Sequence, residues 1–174
     1  NISTVLDLGC GNGQYRHYFR GKIYTGSDVF DSPLAKCTNE NVRFVKLVGK
    51  KLPFEDNSFD CVFLKDVLEH VTSDTFLISE INRVVKENGL LILTVPTNFS
   101  KVFNVYPGSV FTKIQFVEHG FRYYSSKRIT QLVRNSGFEI QHFGVSSGLA
   151  ATLVKTLYEY VKYFRMQVNG KKHA

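Results

Sequence analysis

Between residues 7 and 28 the chain carries two carboxylates and a glycine run at a spacing suited to a nucleotide-like ligand. Asp7-Leu8 leads into Gly9-Cys10-Gly11-Asn12-Gly13, and Asp28 stands 19 residues after Gly9. Glycines permit positive φ and let a ligand approach bare backbone. An acid at that distance, at the end of a second strand, is where nucleotide-binding sheets accept hydrogen bonds from ribose hydroxyls. The dinucleotide fingerprint G-x-G-x-x-G needs a glycine at position 14, which is Gln14, and this mismatch counts against NAD. Asp7 would repel a pyrophosphate and attract an ammonium or sulfonium charge. The pattern therefore points to a cationic nucleotide cofactor. The alternative is a tight strand-to-helix turn, with Asp28 a surface acid.

Two histidines are candidate bases: His70 in LEHV and His119 in VEHGF. Imidazole titrates near pH 6.5 and suits proton removal from a hydroxyl or phenol. His119 is the better candidate, because it lies in the 28-residue connection Thr97–Tyr124, a length typical of lids and binding loops. His70 is second, its alternative being local hydrogen bonding in a first helical turn. Glu69 and Glu118, which precede them, read as structural partners or solvated acids. The same connection holds eight of the 24 aromatic residues. That enrichment suits either a cover for an apolar or ring-bearing substrate or a satellite hydrophobic cluster. The three cysteines, Cys10, Cys37 and Cys61, show no C-x-x-C spacing. They suggest neither a zinc site nor a disulfide framework, so no metal is expected and a reducing, cytoplasmic setting is.

The elements that must position these residues alternate. Strands are expected at Ser3–Leu8, Lys22–Val29, Val42–Leu47, Asp60–Leu64, Leu90–Val95 and Phe138–Val145. Helices are expected at Gln14–Arg20, at Thr72–Lys86 with a cap at Thr72 or Ser73, and at Ser125–Asn135 with a cap at Ser125 or Ser126. Phe76, Leu77, Ile81, Val84 and Val85 mark one buried helical face, and Asn88-Gly89 stops that helix. Phe30–Asn41 is too short and polar for a good helix. Strands alternating with helices through short turns imply an α/β fold, a doubly wound, mostly parallel sheet with helices on both faces. Ligands then bind outside the carboxyl ends of the strands.

Several motifs, in order, resemble those of class I S-adenosylmethionine-dependent methyltransferases of the small-molecule type. VLDLGCGNG resembles the family's first motif and YTGSDVF its ribose-binding segment. LPFEDNSFDCVFLKDVLEHV, INRVVKENGLLILTVP and HGFRYYSSKRITQLVRNSGFEI resemble the later stretches, so the likeness spans residues 3–145. It implies a Rossmann-like fold and S-adenosyl-L-methionine as cofactor. Asp7, Gly9 and Gly11 would line the methionine end, with Cys10 in the same loop, and Asp28 would hold the ribose. Asp66 to His70 would border the methyl-transfer site, Asp66 beside the cofactor. Family members often have an acid four residues before L-P-F, bonding the adenine amino group. Here that position is Val48, so only backbone groups of Val48 and Gly49 could reach the adenine.

Composition narrows the class further. The chain has 174 residues, 43% hydrophobic and 21% charged, with a net charge of +7, which fits one globular domain and excludes a disordered or fibrous protein. No apolar run reaches the length of a membrane span, and no secretory leader is visible. The chain opens at Asn1 without a methionine, which leaves room for a leading segment. Four of the seven net charges fall in residues 149–174. We divide the chain into a methyltransferase domain, 1–148, and a C-terminal amphipathic helix (Leu149–Met166) with a basic tail, 149–174. No strand is expected after it, leaving six strands, although family members usually close the sheet with a seventh. That helix either packs on its own domain or makes peripheral membrane contact through 149–166. The acceptor of the methyl group is expected to be a small or lipid-linked molecule, modified at oxygen or carbon. An RNA substrate fits the charge, but no RNA-binding module is recognisable and the body is barely basic, so nucleic acid is disfavoured. A catalytically inactive binding protein on the same fold is the third class.

Overall fold

The computed structural model describes residues 2–96, 124–146 and 163–171. Its strands are β1 (Thr4–Leu8), β2 (Ile23–Asp28), β3 (Val42–Lys46), β4 (Phe59–Lys65), β5 (Val85–Pro96), β6 (Phe138–Ser146) and β7 (Tyr163–Lys171). They form one sheet in the order β3-β2-β1-β4-β5-β7-β6. β1 to β5 pair in parallel, and β7 runs antiparallel to both β5 and β6. The strand order reverses between β1 and β4, which opens a crevice at their carboxyl ends.

Sequence and structure part at the C-terminus. Six strands and a helix running to Met166 were the expectation, yet Tyr163–Met166 belongs to β7. β5 and β6 offer two strand edges with unpaired N–H and C=O groups, and a segment between them satisfies both. Those long-range bonds outweigh a local three- and four-residue repeat. The rest of the expected helix, and the membrane contact assigned to it, lie outside the described residues.

Among the described residues two α-helices flank the sheet: α1 (Asp74–Val84) and α2 (Ser126–Asn135). Both are capped as their sequences imply, Ser73 accepting from Phe76 N and Ser125 from Arg128 N. α1 buries Leu77, Ile78, Ile81 and Val84, whereas Phe76 turns outward and is 41% exposed. It also ends earlier than Asn88. The Asn57 and Ser58 amides take the carbonyls of Arg83 and Val84, and Val85 then pairs with Phe59. The stretch expected to be helical over 14–20 narrows to a 3-10 turn, Arg16–Phe19. The main core joins the inner residues of β1, β4 and β5 to α1, α2 and the fully buried Tyr124.

Arg83 at the end of α1 fastens the 52–56 loop, whose first residue, Leu52, lines the crevice wall. Its guanidinium donates to both Glu80 carboxylate oxygens, to Asp56 Oδ1 and to the carbonyls of Leu52 and Phe54, at 2.7–3.0 Å. Glu80 Oε2 accepts from Leu52 N in turn. Arg83→Ala strands a buried carboxylate, so urea unfolding should show a loss of about 3 kcal/mol. A loss below about 1 kcal/mol would mean the wall holds without it.

Candidate active site

The glycine loop closes the carboxyl end of β1. Gly9 N and Cys10 N both donate to Ser27 O, at 2.8 and 3.0 Å, tying the loop to β2. Gly9 has φ +78°, and a Cβ there would sit 2.2 Å from Val67 Cγ2. Glycine is needed at this position both for its backbone angle and because Val67 packs against it. Asp28 ends β2, its Oδ2 accepting from Gly11 N at 2.9 Å and its Oδ1 from Phe30 N at 3.1 Å. These bonds hold the carboxylate against the loop.

A cavity of about 320 Å³ opens beside them. Gly9, Asp28 and Gly49 form its polar rim, Leu8, Leu52 and Val67 are among its apolar walls, and His70 and Phe76 also line it. Val48 points into solvent, 84% exposed, while its neighbours Leu47 and Gly49 face the cavity. Lys50 and Lys51 line it too. The cavity thus unites Gly9, Asp28, Gly49 and His70 from the residues read as functional. His119 lies outside the described residues, as does all of the aromatic connection except Tyr124.

Other expected residues sit elsewhere. The Cys10 side chain turns away from the cavity and packs with Tyr24 and Leu34, buried. Burial pushes its thiol up to about 12, with the Asp7 and Asp28 charges adding. Only its backbone belongs to the loop. Asp7 is also buried, and its carboxylate accepts a hydrogen bond from the Tyr24 hydroxyl. Desolvation pushes Asp7 up to about 6, opposed by that bond. Asp66 stands at φ +55° just past β4, with Oδ1 accepting from Thr94 Oγ1 at 2.8 Å and Oδ2 from the Lys65 ammonium. It borders the site without lining the cavity.

Two residues on, Leu68–His70 makes a 3-10 turn. Tyr124 fixes it from behind: its hydroxyl lies 3.2 Å from Leu68 O and 3.1 Å from Asp74 Oδ2. Tyr124 is therefore a core residue rather than a substrate contact. Of the two readings for Glu69, structural partner or solvated acid, burial leaves the first. Val67 falls within the 66–70 stretch expected to border the site, whereas the walls contributed by Val71 and Leu77 were not legible in the sequence, because an apolar side chain there reads only as core.

These features define a methyltransferase fold. A family profile described as a methyltransferase domain matches residues 6–93, and the chain belongs to that family. It is 28% identical over 179 residues to a ubiquinone/menaquinone biosynthesis C-methyltransferase of Pasteurella multocida, covering 84% of this chain and 66% of that one. Its counterpart in Stutzerimonas stutzeri is 40% identical over 126 residues, covering 62% of this chain and 49% of that one. The chain thus spans about half to two thirds of the length of these curated relatives. Among solved structures, a putative methyltransferase of Haloferax volcanii, in complex with the Trm112 activator, superposes with a TM-score of 0.78 at 19% identity, covering 100% of this chain and 84% of that one. The Burkholderia thailandensis 1,6-didemethyltoxoflavin-N1-methyltransferase, bound to S-adenosylhomocysteine, gives 0.74 at 20% identity, covering 99% and 72%.

S-adenosylmethionine is the cofactor on which family and site agree. The carboxylate of Asp28 rests at the cavity rim, glycine backbone is bare beside it, and the acid Asp7 lies beneath the loop. That set fits a ribose and a cationic chain. Among the described residues no cluster of three or more His, Cys, Asp or Glu could hold a metal, and no helix is long and apolar enough to cross a membrane.

Proposed function

We propose that this chain transfers a methyl group from S-adenosylmethionine to a small-molecule acceptor, at the carboxyl ends of β1 and β4. The observation that carries this reading is Asp28, held by Gly11 N at the rim of a cavity whose other walls are largely apolar. When bound, the cofactor supplies a methyl group on a sulfonium that leaves readily. The task of the protein is alignment, which can supply about 7–11 kcal/mol of the barrier. Asp28 accepts the ribose hydroxyls, the Gly9–Gly13 loop presents its backbone to the methionine end, and Gly49 borders the adenine side. Leu52, Val67 and Phe76 exclude water.

An oxygen or carbon acceptor is favoured. The relatives above are named C-methyltransferases of ubiquinone and menaquinone biosynthesis, and the apolar walls suit a ring-bearing or lipid-linked molecule. Of the two candidate bases, His119 and then His70, His70 is the one among the described residues; on the cavity wall, it takes the acceptor proton where one must be lost.

Screening with radiolabelled cofactor against quinol-like, phenol and RNA pools tests the proposal. Label should enter the quinol-like or phenol pool. With His70→Ala, incorporation should fall about 10²- to 10⁴-fold, the usual contribution of a positioned base. Label in RNA alone, or cofactor binding without transfer to any pool, would overturn the acceptor reading. Full turnover in His70→Ala at neutral pH would remove the base role only.

A further inference from the structure

Glu69 is a buried acid for which methyl transfer, as derived above, has no task. Its side chain is only 2% exposed, and among the described residues no donor reaches Oε2. An unsatisfied buried oxygen forfeits its hydration without return. Its other oxygen, Oε1, lies 4.0 Å from His70 Nε2. The two residues share one 3-10 turn, with His70 on the cavity wall and half exposed, and Glu69 buried beside it. The cations on neighbouring elements are engaged by other acids: Lys65 at the end of β4 by Asp66, and Arg128 of α2 by Asp74, which also meets Tyr124.

We propose that Glu69 acts through His70: its carboxyl stands beside the imidazole, 4.0 Å away, and couples the proton affinity of the ring to its own ionisation. The mechanistic value of this pair rests on the proposed reaction at the same cavity. Burial pushes Glu69 up to about 8, with Asp66 adding and the Glu69 backbone amide and Lys65 opposing. Imidazole titrates ordinarily near 6.5. As Glu69 loses its proton, a carboxylate appears within Coulombic reach of His70 and favours the imidazolium. The base thus keeps a charged partner at alkaline pH and a neutral one below it.

The test is a proton NMR titration of the full chain, with the His70 ring signals assigned by their loss in His70→Ala. In the wild type those signals should move in two steps, one belonging to the ring and one near pH 8 reporting Glu69. Glu69→Gln should abolish the second step, and Glu69→Asp should retain it at reduced size. A single step in the wild type, or a second step that survives Glu69→Gln, overturns the proposal. If Glu69→Gln does not fold, the carbon-13 carboxyl titration of wild-type glutamates decides. A carboxyl whose midpoint matches the second His70 step supports the pair, and none titrating above pH 6 refutes it. Calorimetry with S-adenosylmethionine on the same samples keeps the readings apart, since lost cofactor binding would fail the methyl-transfer reading while leaving this titration interpretable.

Discussion

Asp28→Ala should weaken S-adenosylmethionine binding at least a hundredfold in isothermal titration calorimetry. The carboxylate offers two acceptor oxygens to the ribose, and a hydrogen bond to a charged acceptor contributes roughly 1.5–3 kcal/mol. Two such bonds amount to about 3–6 kcal/mol, where each 1.4 kcal/mol is tenfold in affinity. The substitution also frees Gly11 N and Phe30 N, which the carboxylate now holds, so the loop loses its anchor as well. Asp28→Asn, which keeps shape but not charge, should fall between wild type and alanine. Unchanged affinity in Asp28→Ala would remove the ribose assignment.

The second large effect is expected at Asp7→Asn, and it has opposite signs for stability and binding. Asp7 titrates at about 6 in the fold, against an ordinary 3.8, because burial disfavours its charge. A folded-state value raised above the unfolded one means that the native chain binds more protons between those limits. Stability attributable to Asp7 is therefore highest below pH 4 and declines as pH rises through 6, by about 3 kcal/mol in all. Asparagine cannot ionise, and its amide oxygen can still accept from Tyr24. Urea unfolding should show Asp7→Asn more stable than wild type by about 1–3 kcal/mol at pH 7–8, with the difference gone near pH 4. Cofactor affinity should drop on the order of tenfold, since the loop loses the negative charge that attracts a sulfonium. A stability difference independent of pH would refute the buried-charge account.

This trade explains why a charge is kept where burial penalises it. Asp7 does not line the cavity, so in the proposed reading it would act on a bound cation through its field and not through contact. Spacing along the chain located Asp7 correctly at the end of β1, but the partner that shares its burial, Tyr24, lies on another strand and shows only once β1 and β2 pair. The same holds for Glu69. Next to His70 in sequence, it read as a solvated or structural acid. It is buried in a turn that Tyr124, from a distant part of the chain, ties to Asp74 at the start of α1.

Local chemistry alone determined the first half of the architecture. Period-two apolar strands, serine caps and a glycine turn are set by neighbours within a few residues, so β1 to β4, both helix starts and the Asp7–Gly9–Asp28 spacing were legible in the sequence. Tertiary structure decided what depends on distant partners. Cys10 turns from the cavity because Tyr24 and Leu34 give its side chain an apolar pocket. α1 stops at Val84 because Phe59 of β4 captures Val85 into the sheet. Tyr163–Met166 becomes strand rather than helix because β5 and β6 leave two rows of backbone donors and acceptors that one antiparallel segment can satisfy together. A helical repeat in the sequence records only what a segment could do alone, and a ladder bonded on both sides prevails over it.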